Sequence, residues 1–257
     1  MSKTKEKEKD KPAHHVMIFG ASSGIAMEFA RLYAPTKARF TLIARDAEKL
    51  KDISDDLYAR GAKDVSLVAY SLDSLEGSFE ATRGIVKQTE APDTVLIAHG
   101  ILGVNDELMK SAQDMDKLFK VNVLSPIGIL MALEEAMAVR KRGVIAVISS
   151  VAGDRGRASN FAYGSTKAAI TAFVSGMRAR LLPKGVHVIT IKPGMVATAM
   201  TEHLPPSPLM ADPKAVARDI VKAVIHKKLV VYTPGFWRLI MFVISHIPEK
   251  IFMKLKF

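Results

Sequence analysis

The sequence predicts an α/β protein built on one doubly wound parallel sheet of about seven strands, with helices on both faces. Two observations predict this class. Short apolar segments rich in β-branched residues alternate with longer amphipathic segments. No internal repeat and no change in composition divides residues 14–232. Alternating strands and helices form right-handed βαβ units, which build parallel sheets, so we predict a single domain over this stretch.

Each predicted element follows from this periodicity. The candidate strands are apolar on both faces, as the strands of a parallel sheet should be. They are Val16–Phe19, Arg39–Ala44, Val65–Ala69, Thr94–Ala98, Gly143–Ser149, Val186–Lys192 and Leu229–Val231. The amphipathic segments between them predict helices near residues 24–34, 46–60, 74–89, 112–141, 161–182 and 212–226.

Composition excludes several classes of protein. The 257 residues include no cysteine, which excludes a thiol nucleophile, disulfides and thiolate-ligated metals, and we predict no metal site. No window approaches the ~20 apolar residues of a spanning helix, and the charged start is not a signal peptide, so we expect a cytoplasmic protein. The net charge of +11 admits nucleic acid, but no cluster of stacking aromatic residues accompanies it, and we expect no nucleic-acid partner.

The two ends differ from the body. Residues 1–13 alternate lysine with acidic and polar residues and predict a disordered basic tail, solvated or touching anionic lipid. Residues 233–257 are apolar and basic, with the run Phe236–Ile244 too short to span a bilayer. This amphipathic helical tail either lies in a membrane interface or folds onto the body or onto a second copy of the chain.

A glycine-containing turn follows the first strand. Gly20 permits a tight turn, and Gly24 lets backbone N–H groups approach a pyrophosphate at the start of a helix. Ser22 and Ser23 offer hydroxyl groups to the same phosphates, and Ile25 continues into the helix. A turn between a strand and a helix with this spacing is typical of Rossmann-like dinucleotide-binding domains.

The end of the second strand indicates which dinucleotide binds. Arg45 can form a bidentate contact with a 2′-phosphate, which favours NADP(H), with NAD(H) as the alternative. Asp46 is the residue that favours NAD(H), unless it caps the next helix. After the third strand, Leu72 and Asp73 are expected beside the adenine, with Asp73 accepting a hydrogen bond from its amino group.

Four residues form a candidate catalytic group. Tyr163 and Lys167 are spaced i, i+4 on one helix face, Ser150 ends the fifth strand, and Asn122 lies within the preceding long helix. Reduction of a carbonyl needs a proton donor, and a nearby ammonium can lower the pKa of a phenol. We expect Tyr163 to donate the proton and Ser150 to orient the carbonyl oxygen. Lys167 is expected to act on Tyr163 and hold the nicotinamide ribose, and Asn122 to fix a water beside Lys167.

The chain resembles the short-chain dehydrogenase/reductase family over about residues 15–226. The motifs that carry this resemblance are Gly20–Ala26, Asn122, Ser150, Tyr163–Lys167 and Pro193–Thr198. The resemblance implies further cofactor contacts at Ala98, His99, Gly100, Pro193, Gly194, Val196 and Thr198, and a dimer or tetramer built on the long helices. Two positions depart from the family pattern: His99 replaces part of its usual Asn-Asn-Ala-Gly, and Phe19 replaces a threonine. We interpret His99 as a local substitution rather than a base.

A narrower resemblance runs from the catalytic strand to the last residue. The segments that carry it are Ala152–Tyr163, Thr198–Met200 and Phe236–Phe252, together with Ile97–Gly103. The resemblance is to reductases that act, with a flavin oxidase, on a decaprenylphosphoryl 2-keto-pentose. This resemblance implies a lipid-linked keto-sugar substrate, contact of the tail with a membrane surface, and a substrate lid at Glu202–Ala211. Arg155 and Arg157 are candidates to bind the anionic substrate, or form ion pairs in an exposed loop. The alternatives are a reductase of a 3-oxoacyl thioester or soluble keto-sugar, and a non-catalytic dinucleotide-binding module.

Overall fold

A seven-stranded, wholly parallel sheet forms the centre of the molecule. The computed structural model describes residues 13–202, 205 and 207–255, so almost all of the predicted basic tail lies outside the described residues. The strands are β1 (His15–Phe19), β2 (Arg39–Ala44), β3 (Asp64–Ala69), β4 (Thr94–Ile97), β5 (Gly143–Ile148), β6 (Val186–Pro193) and β7 (Val230–Thr233). Their order across the sheet is β3-β2-β1-β4-β5-β6-β7, which confirms the predicted fold class.

Two layers of helices cover the sheet. One core packs α1 (Gly24–Tyr33), α2 (Ala47–Ala59) and α8 (Pro213–Ile225) against one face. A second core packs α3 (Leu75–Thr89), α6 (Ser125–Arg140) and α7 (Phe161–Leu181) against the other. Strands β1 and β4 are buried on both faces because they lie in the middle of this sandwich. The two layers leave the carboxyl ends of the strands open.

The predicted helix 112–141 is interrupted. The chain forms α4 (Asn105–Leu108), which the sequence pattern did not predict, and then α5 (Ala112–Phe119). A π-helical turn, Lys120–Leu124, joins α5 to α6. The whole run Ala112–Arg140 is long and apolar enough to span a bilayer by length and composition, contrary to the expectation from the sequence. Over half of its most apolar window is buried inside the protein, as in a core helix.

The C-terminal segment folds back onto the body. Helix α9 (Trp237–His246) buries Trp237 and Met241 against Val151, and α10 (Glu249–Phe252) follows. The opposite face of α9 is exposed at Leu239, Phe242 and Val243. The segment therefore has an inner face that packs on the domain and an apolar outer face that does not.

The order of the strands determines where a cleft forms. Chain connections leave β1 toward β2 on one side and β4 toward β5 on the other, so the loops after β1 and β4 diverge. Ligands of open α/β sheets bind in the crevice at such a switch point. The glycine turn follows β1 and His99 follows β4, so both lie at this crevice.

Candidate active site

Two adjoining cavities occupy the carboxyl edge of the sheet. The larger, about 680 Å³, is lined by the loops after β1, β2, β3 and β4 and includes Arg45, Leu72 and Asp73. The smaller, about 410 Å³, is lined by Ser150, Tyr163 and Lys167. Both are bordered by the same set of residues: Ser22, Ser23, Ala98, His99, Gly100, Leu102, Ala199 and Met200. Together they form one elongated cleft.

The glycine turn is shaped for an anionic ligand. Gly20 has φ +78°, and a Cβ there would lie 2.5 Å from the backbone nitrogen of His99, so only glycine fits. Ser23 caps α1 by accepting the Ala26 N–H through its side chain at 3.3 Å. The N–H groups at the start of the helix have no intrahelical acceptor and point outward, with the positive end of the helix dipole. The predicted turn thus fits a pyrophosphate.

Arg45 and Asp46 have different roles. The Asp46 carboxylate caps α2, accepting the Lys49 N–H at 3.1 Å, and it pairs weakly with the Lys49 side chain at 3.8 Å. Arg45 is exposed at the mouth of the larger cavity. Asp73 also lines this cavity and accepts a hydrogen bond from Ser71 at 2.7 Å. The cap favours NADP(H) over NAD(H) as the cofactor. The Asp46 carboxylate is engaged by the helix, whereas the exposed Arg45 guanidinium can contact a 2′-phosphate.

His99 is a structural link. Its Nε2 lies 2.9 Å from the hydroxyl of Ser125, which in turn accepts a hydrogen bond from Ser78 at 2.8 Å. This chain joins the end of β4 to α6 and α3. Burial, together with the charge of Lys167, lowers the pKa of His99 to about 3, so the ring is neutral at physiological pH. A neutral ring with this contact agrees with our interpretation of His99 as a substitution rather than a base.

Tyr163 and Lys167 lie on one face of α7 inside the smaller cavity. The Lys167 Nζ is 5.5 Å from the centre of the Tyr163 ring and donates a hydrogen bond to the Ile148 carbonyl at 3.3 Å. Ser150 caps the turn after β5, accepting the Ala152 N–H at 3.1 Å. The structure thus brings the predicted tyrosine, lysine and serine together, as parallel strands and a following helix should.

Burial dominates the protonation of this group. It raises the pKa of Tyr163 to about 12, against a smaller lowering by a hydrogen bond from Ser150. It lowers the pKa of Lys167 to about 8. The sequence predicted that Lys167, together with a bound nicotinamide ring, would lower the pKa of the phenol. Without the cofactor, burial is the largest influence on this pKa, and the lowering stays a prediction. The tyrosine therefore holds its proton firmly.

Asn122 sits in the π turn. Its side chain accepts the Ile101 N–H at 2.8 Å and donates to the Ile101 carbonyl at 2.9 Å and to Thr166 at 3.2 Å. A Cβ on Gly100 would lie 3.1 Å from the Asn122 side-chain oxygen and 3.6 Å from the Lys167 Nζ. Asn122 thus fixes the loop after β4 next to Lys167, and the role of a water between them stays a prediction.

Arg155 and Arg157, the two arginines predicted to bind substrate, occupy different places in the structure. Arg155 donates to the carbonyls of Ile244 and Ile247 at 2.7 and 2.6 Å, and pairs with Glu249 at 2.7 Å. Its guanidinium also stacks 3.7 Å over the Phe252 ring. Arg155 therefore holds the C-terminal segment and does not line the cavity, which corrects the expectation for it. Arg157 does line the smaller cavity.

The Pro193–Thr198 segment borders the same cavity. Pro193, Gly194, Val196 and Thr198 all line it, and the Thr198 methyl group lies 3.2 Å from where a Cβ on Gly24 would be. The predicted lid Glu202–Ala211 includes residues 203, 204 and 206, which lie outside the described residues. Among the residues that are described, no group of three His, Asp or Glu side chains could hold a metal.

Sequence reasoning missed several residues at this edge of the sheet. Trp237, on α9, and Asn160, which caps α7, both line the smaller cavity. Nearby, Asp154 pairs with Lys192 and accepts a hydrogen bond from Tyr232 at 2.8 Å. Trp237 is the single tryptophan of the chain, which marked it for attention, but no local motif connects it to residues so distant in sequence.

The comparisons with known proteins agree with this geometry. The family model described as short chain dehydrogenase matches residues 14–208. The chain belongs to this family. As a short chain dehydrogenase it is an NAD(P)-dependent oxidoreductase, as predicted. The glycine turn, Ser150, Tyr163 and Lys167 all fall within the matched residues.

Individual relatives span most of this short chain dehydrogenase. An uncharacterized oxidoreductase of Mycobacterium tuberculosis is 32% identical over 96% of this chain and 98% of its own. A ketoacyl reductase of Nostoc is 28% identical over 82% of this chain and 75% of its own. A short-chain dehydrogenase from Sphingobium yanoikuyae, solved in complex with NADPH, superposes with a TM-score of 0.80 at 20% identity, over 92% of this chain and 97% of that one. At that identity the superposition shows the shared fold.

Proposed function

We propose that this enzyme reduces a ketone with NADPH and that Tyr163 donates the proton. The observation that carries the proposal is the burial of Tyr163, Lys167 and Ser150 around one cavity that adjoins the glycine turn. Tyr163 is protonated at neutral pH, and the nearby Lys167 ammonium can stabilise its phenolate, so it is suited to act as a general acid in reduction. The cradle at Gly20 and Gly24 fits the pyrophosphate that such a cofactor carries.

The residues act in sequence at the carbonyl group. When bound, the reduced nicotinamide supplies a hydride to the carbonyl carbon. Ser150 donates a hydrogen bond to the carbonyl oxygen and fixes its position. Tyr163 transfers its proton to the same oxygen as negative charge develops there, and the Lys167 ammonium stabilises the phenolate that remains. Lys167 also holds the nicotinamide ribose, and Asn122 fixes the loop that faces it.

NADP(H) is the proposed cofactor, with NAD(H) as the alternative. Arg45 is available at the mouth of the larger cavity, whereas the Asp46 carboxylate is engaged as a helix cap. An unengaged guanidinium favours a 2′-phosphate, and an unengaged acidic group would have disfavoured it. The related fold with NADPH bound is consistent with this choice.

The proposed substrate is the 2-keto group of a pentose linked to a polyprenyl phosphate, which a partner flavin oxidase would supply. The resemblance of the C-terminal half supports this, and so does the outer face of α9. That face exposes Leu239, Phe242 and Val243 at 69%, 62% and 55%, with Arg238 beside them. Apolar side chains bordered by cations are typical of helices that lie in a membrane interface. We therefore place the enzyme in the cytoplasm, at a membrane surface.

A 3-oxoacyl thioester is the second candidate substrate, because a ketoacyl reductase is among the relatives. The deciding experiment measures kcat/KM for NADPH oxidation with a prenyl-phosphate-linked keto-pentose and with acetoacetyl-CoA. We expect the keto-sugar to be favoured at least about tenfold, because a site built for polar groups discriminates strongly. A preference for the thioester would assign the enzyme to the second class, and turnover of neither would leave a soluble keto-sugar or the non-catalytic dinucleotide-binding module.

Membrane contact has its own test. Sedimentation with vesicles containing anionic lipid should recover the enzyme, and Leu239→Glu with Phe242→Glu should reduce the recovered fraction about tenfold, since each charge opposes insertion. Leu182→Glu, which replaces an exposed leucine elsewhere, is the matched control. Equal loss in the control would contradict the contact.

A homo-oligomer is proposed from the long helices. Met131 and Val139, both exposed, are eight residues apart on α6 and so lie on one helix face. An apolar stripe on an outer helix is consistent with association of two copies. Sedimentation velocity should give a dimer or tetramer for the native chain, and Val139→Glu should shift it toward the monomer.

A further inference from the structure

Four buried polar atoms of side chains that line the smaller cavity lack hydrogen-bond partners among the described residues. The His99 Nδ1 is at the border with the larger cavity, and the other three are the Arg157 Nε, the Asn160 side-chain oxygen and the Trp237 indole nitrogen. Their side chains line the cavity that contains Tyr163. Buried polar atoms are nearly always paired in folded proteins, so an unpaired set in a single cavity indicates a ligand that supplies the missing partners.

The charge of Arg157 is not neutralised by the protein. Its guanidinium forms no ion pair with any residue that the structure describes. Asp154 is the carboxylate whose charge acts on it, but that group is already taken by Lys192 and Tyr232. Arginine keeps its proton in proteins, so this half-buried cation favours an anion from outside the chain as its partner.

Trp237 is held firmly in the cavity wall. A Cβ on Gly194 would lie 1.9 Å from the indole nitrogen, so the ring rests directly on the backbone at Gly194. The side chain is 5% exposed and packs with Val151 and Met241. Helix α9 thus brings an N–H donor into the cavity. Asn160, three residues before Tyr163, adds an acceptor from another side.

We propose that Arg157, Asn160 and Trp237 determine substrate specificity, and that the substrate carries an anionic oxygen group and a hydroxyl group next to its ketone. Arg157 and Trp237 donate hydrogen bonds to the anion, and Asn160 accepts one from the hydroxyl. The inference rests on the proposed function, because it deepens the substrate class of the same cavity. A 2-keto glycosyl phosphate has this arrangement, with the phosphate and a hydroxyl on the two carbons that flank the carbonyl.

The same pattern disfavours a 3-oxoacyl thioester. One side of its ketone carries an alkyl chain, which offers nothing to an indole N–H or a guanidinium. Binding it would leave the Arg157 cation without a neighbouring anion and the Asn160 oxygen without a hydroxyl partner, which is costly. The cavity therefore discriminates between the two candidate substrates on grounds that do not involve the outer face of α9.

The test uses three small ketones as probes. Dihydroxyacetone phosphate carries both groups, dihydroxyacetone lacks the anion, and hydroxyacetone phosphate lacks the hydroxyl. Each is titrated into full-length enzyme saturated with NADP⁺, so that no reduction occurs. Trp237 is the chain's single tryptophan, so quenching of its fluorescence reports binding in the cavity directly.

Dihydroxyacetone phosphate should bind at least about tenfold more tightly than dihydroxyacetone. Arg157→Gln should abolish that preference, whereas Arg83→Gln, a change of an exposed arginine, should preserve it. Asn160→Ala should remove the preference for dihydroxyacetone phosphate over hydroxyacetone phosphate. Trp237→Phe keeps the ring but loses the N–H, and calorimetry should show about threefold to tenfold weaker binding of the phosphate.

Equal binding of the charged and neutral ketones, binding of neither, or a preference that survives Arg157→Gln would overturn the proposal. Circular dichroism melting of each variant separates misfolding from lost recognition. The reductase assignment and the proposed recognition of the anion and the hydroxyl can be rejected independently. Anion-selective binding without turnover of any ketone would reject the reductase assignment alone, whereas turnover without anion preference would reject this inference alone.

Discussion

The two ends of the cleft are built in different ways. The cofactor end is formed by loops that each directly follow a strand, so its residues are placed by local sequence and by the order of the sheet. The substrate end joins Asn160 and Tyr163 with Trp237, which reaches the cavity only because α9 folds back onto the domain. The cofactor end is therefore determined by local motifs, whereas the substrate end depends on tertiary packing.

The largest effect on the rate of reduction is expected from substitution of Tyr163, where the cofactor end and the substrate end of the cleft meet. Tyr163→Phe removes the proton donor and keeps the ring, so kcat for ketone reduction should fall about 10²–10⁴-fold. The Kd for NADPH, measured by calorimetry, should stay within about twofold, because the cofactor end keeps its shape. Undiminished turnover would show that another group donates the proton.

Arg45→Ala acts on the cofactor end alone. Loss of charge-assisted hydrogen bonds worth about 1.5–3 kcal/mol should weaken NADPH binding about 10–100-fold and leave NADH binding nearly unchanged. The neighbouring Asp46→Ala is the control: it removes a helix cap, costing about 1 kcal/mol of stability, without changing cofactor preference. An enzyme that prefers NADH before any substitution would contradict the role given to Arg45.

The pH dependence of reduction reports on Lys167. Burial lowers the pKa of this amine to about 8, so the ammonium is present below that pH and is lost as the pH rises through it. The pKa of Tyr163, about 12, lies well above this range. The rate of reduction should therefore be flat below pH about 8 and then fall by up to about tenfold per pH unit.

Lys167→Arg provides the matched comparison. A guanidinium does not titrate in this range, so the alkaline fall should move to higher pH even though the overall rate is lower. An identical alkaline limb in the variant would assign the titration to another group.

The smallest effect is expected from Gly194→Ala at the substrate end. The new methyl group would collide with the Trp237 indole and push it out of place. KM for the ketone should rise about threefold to tenfold, and the emission of Trp237 should shift. Gly156→Ala, at a glycine whose Cβ would meet nothing within 4 Å, is the control.

Much of the architecture could be predicted because its signals are local. Buried strands, the glycine turn and the i, i+4 spacing of Tyr163 and Lys167 each depend on residues near in sequence, and the fold class was confirmed. The element bounds were less certain. The π turn around Asn122 was not predicted, because no residue type or spacing in the sequence marks a π-helical turn.

Residue roles at the substrate end were harder to predict. Arg155 and Arg157 are two positions apart and chemically identical, yet one clamps α10 and the other faces the cavity. Nothing in the sequence separates them, because the difference arises from where the C-terminal segment lies. The pKa of Tyr163 is hard to predict for a related reason: desolvation depends on everything that packs around the ring.

The ten-residue helix α9 presents two different surfaces, one on each side. Trp237 on its inner side is seated against Gly194, and Leu239 and Phe242 on its outer side face away from the protein. Insertion or deletion of a single residue within this helix would rotate every later residue by about 100° relative to Trp237 at its start. A change in the length of α9 would therefore change how the apolar outer face is aligned with Trp237. The two surfaces can be altered separately only by substitutions that keep the length of the helix.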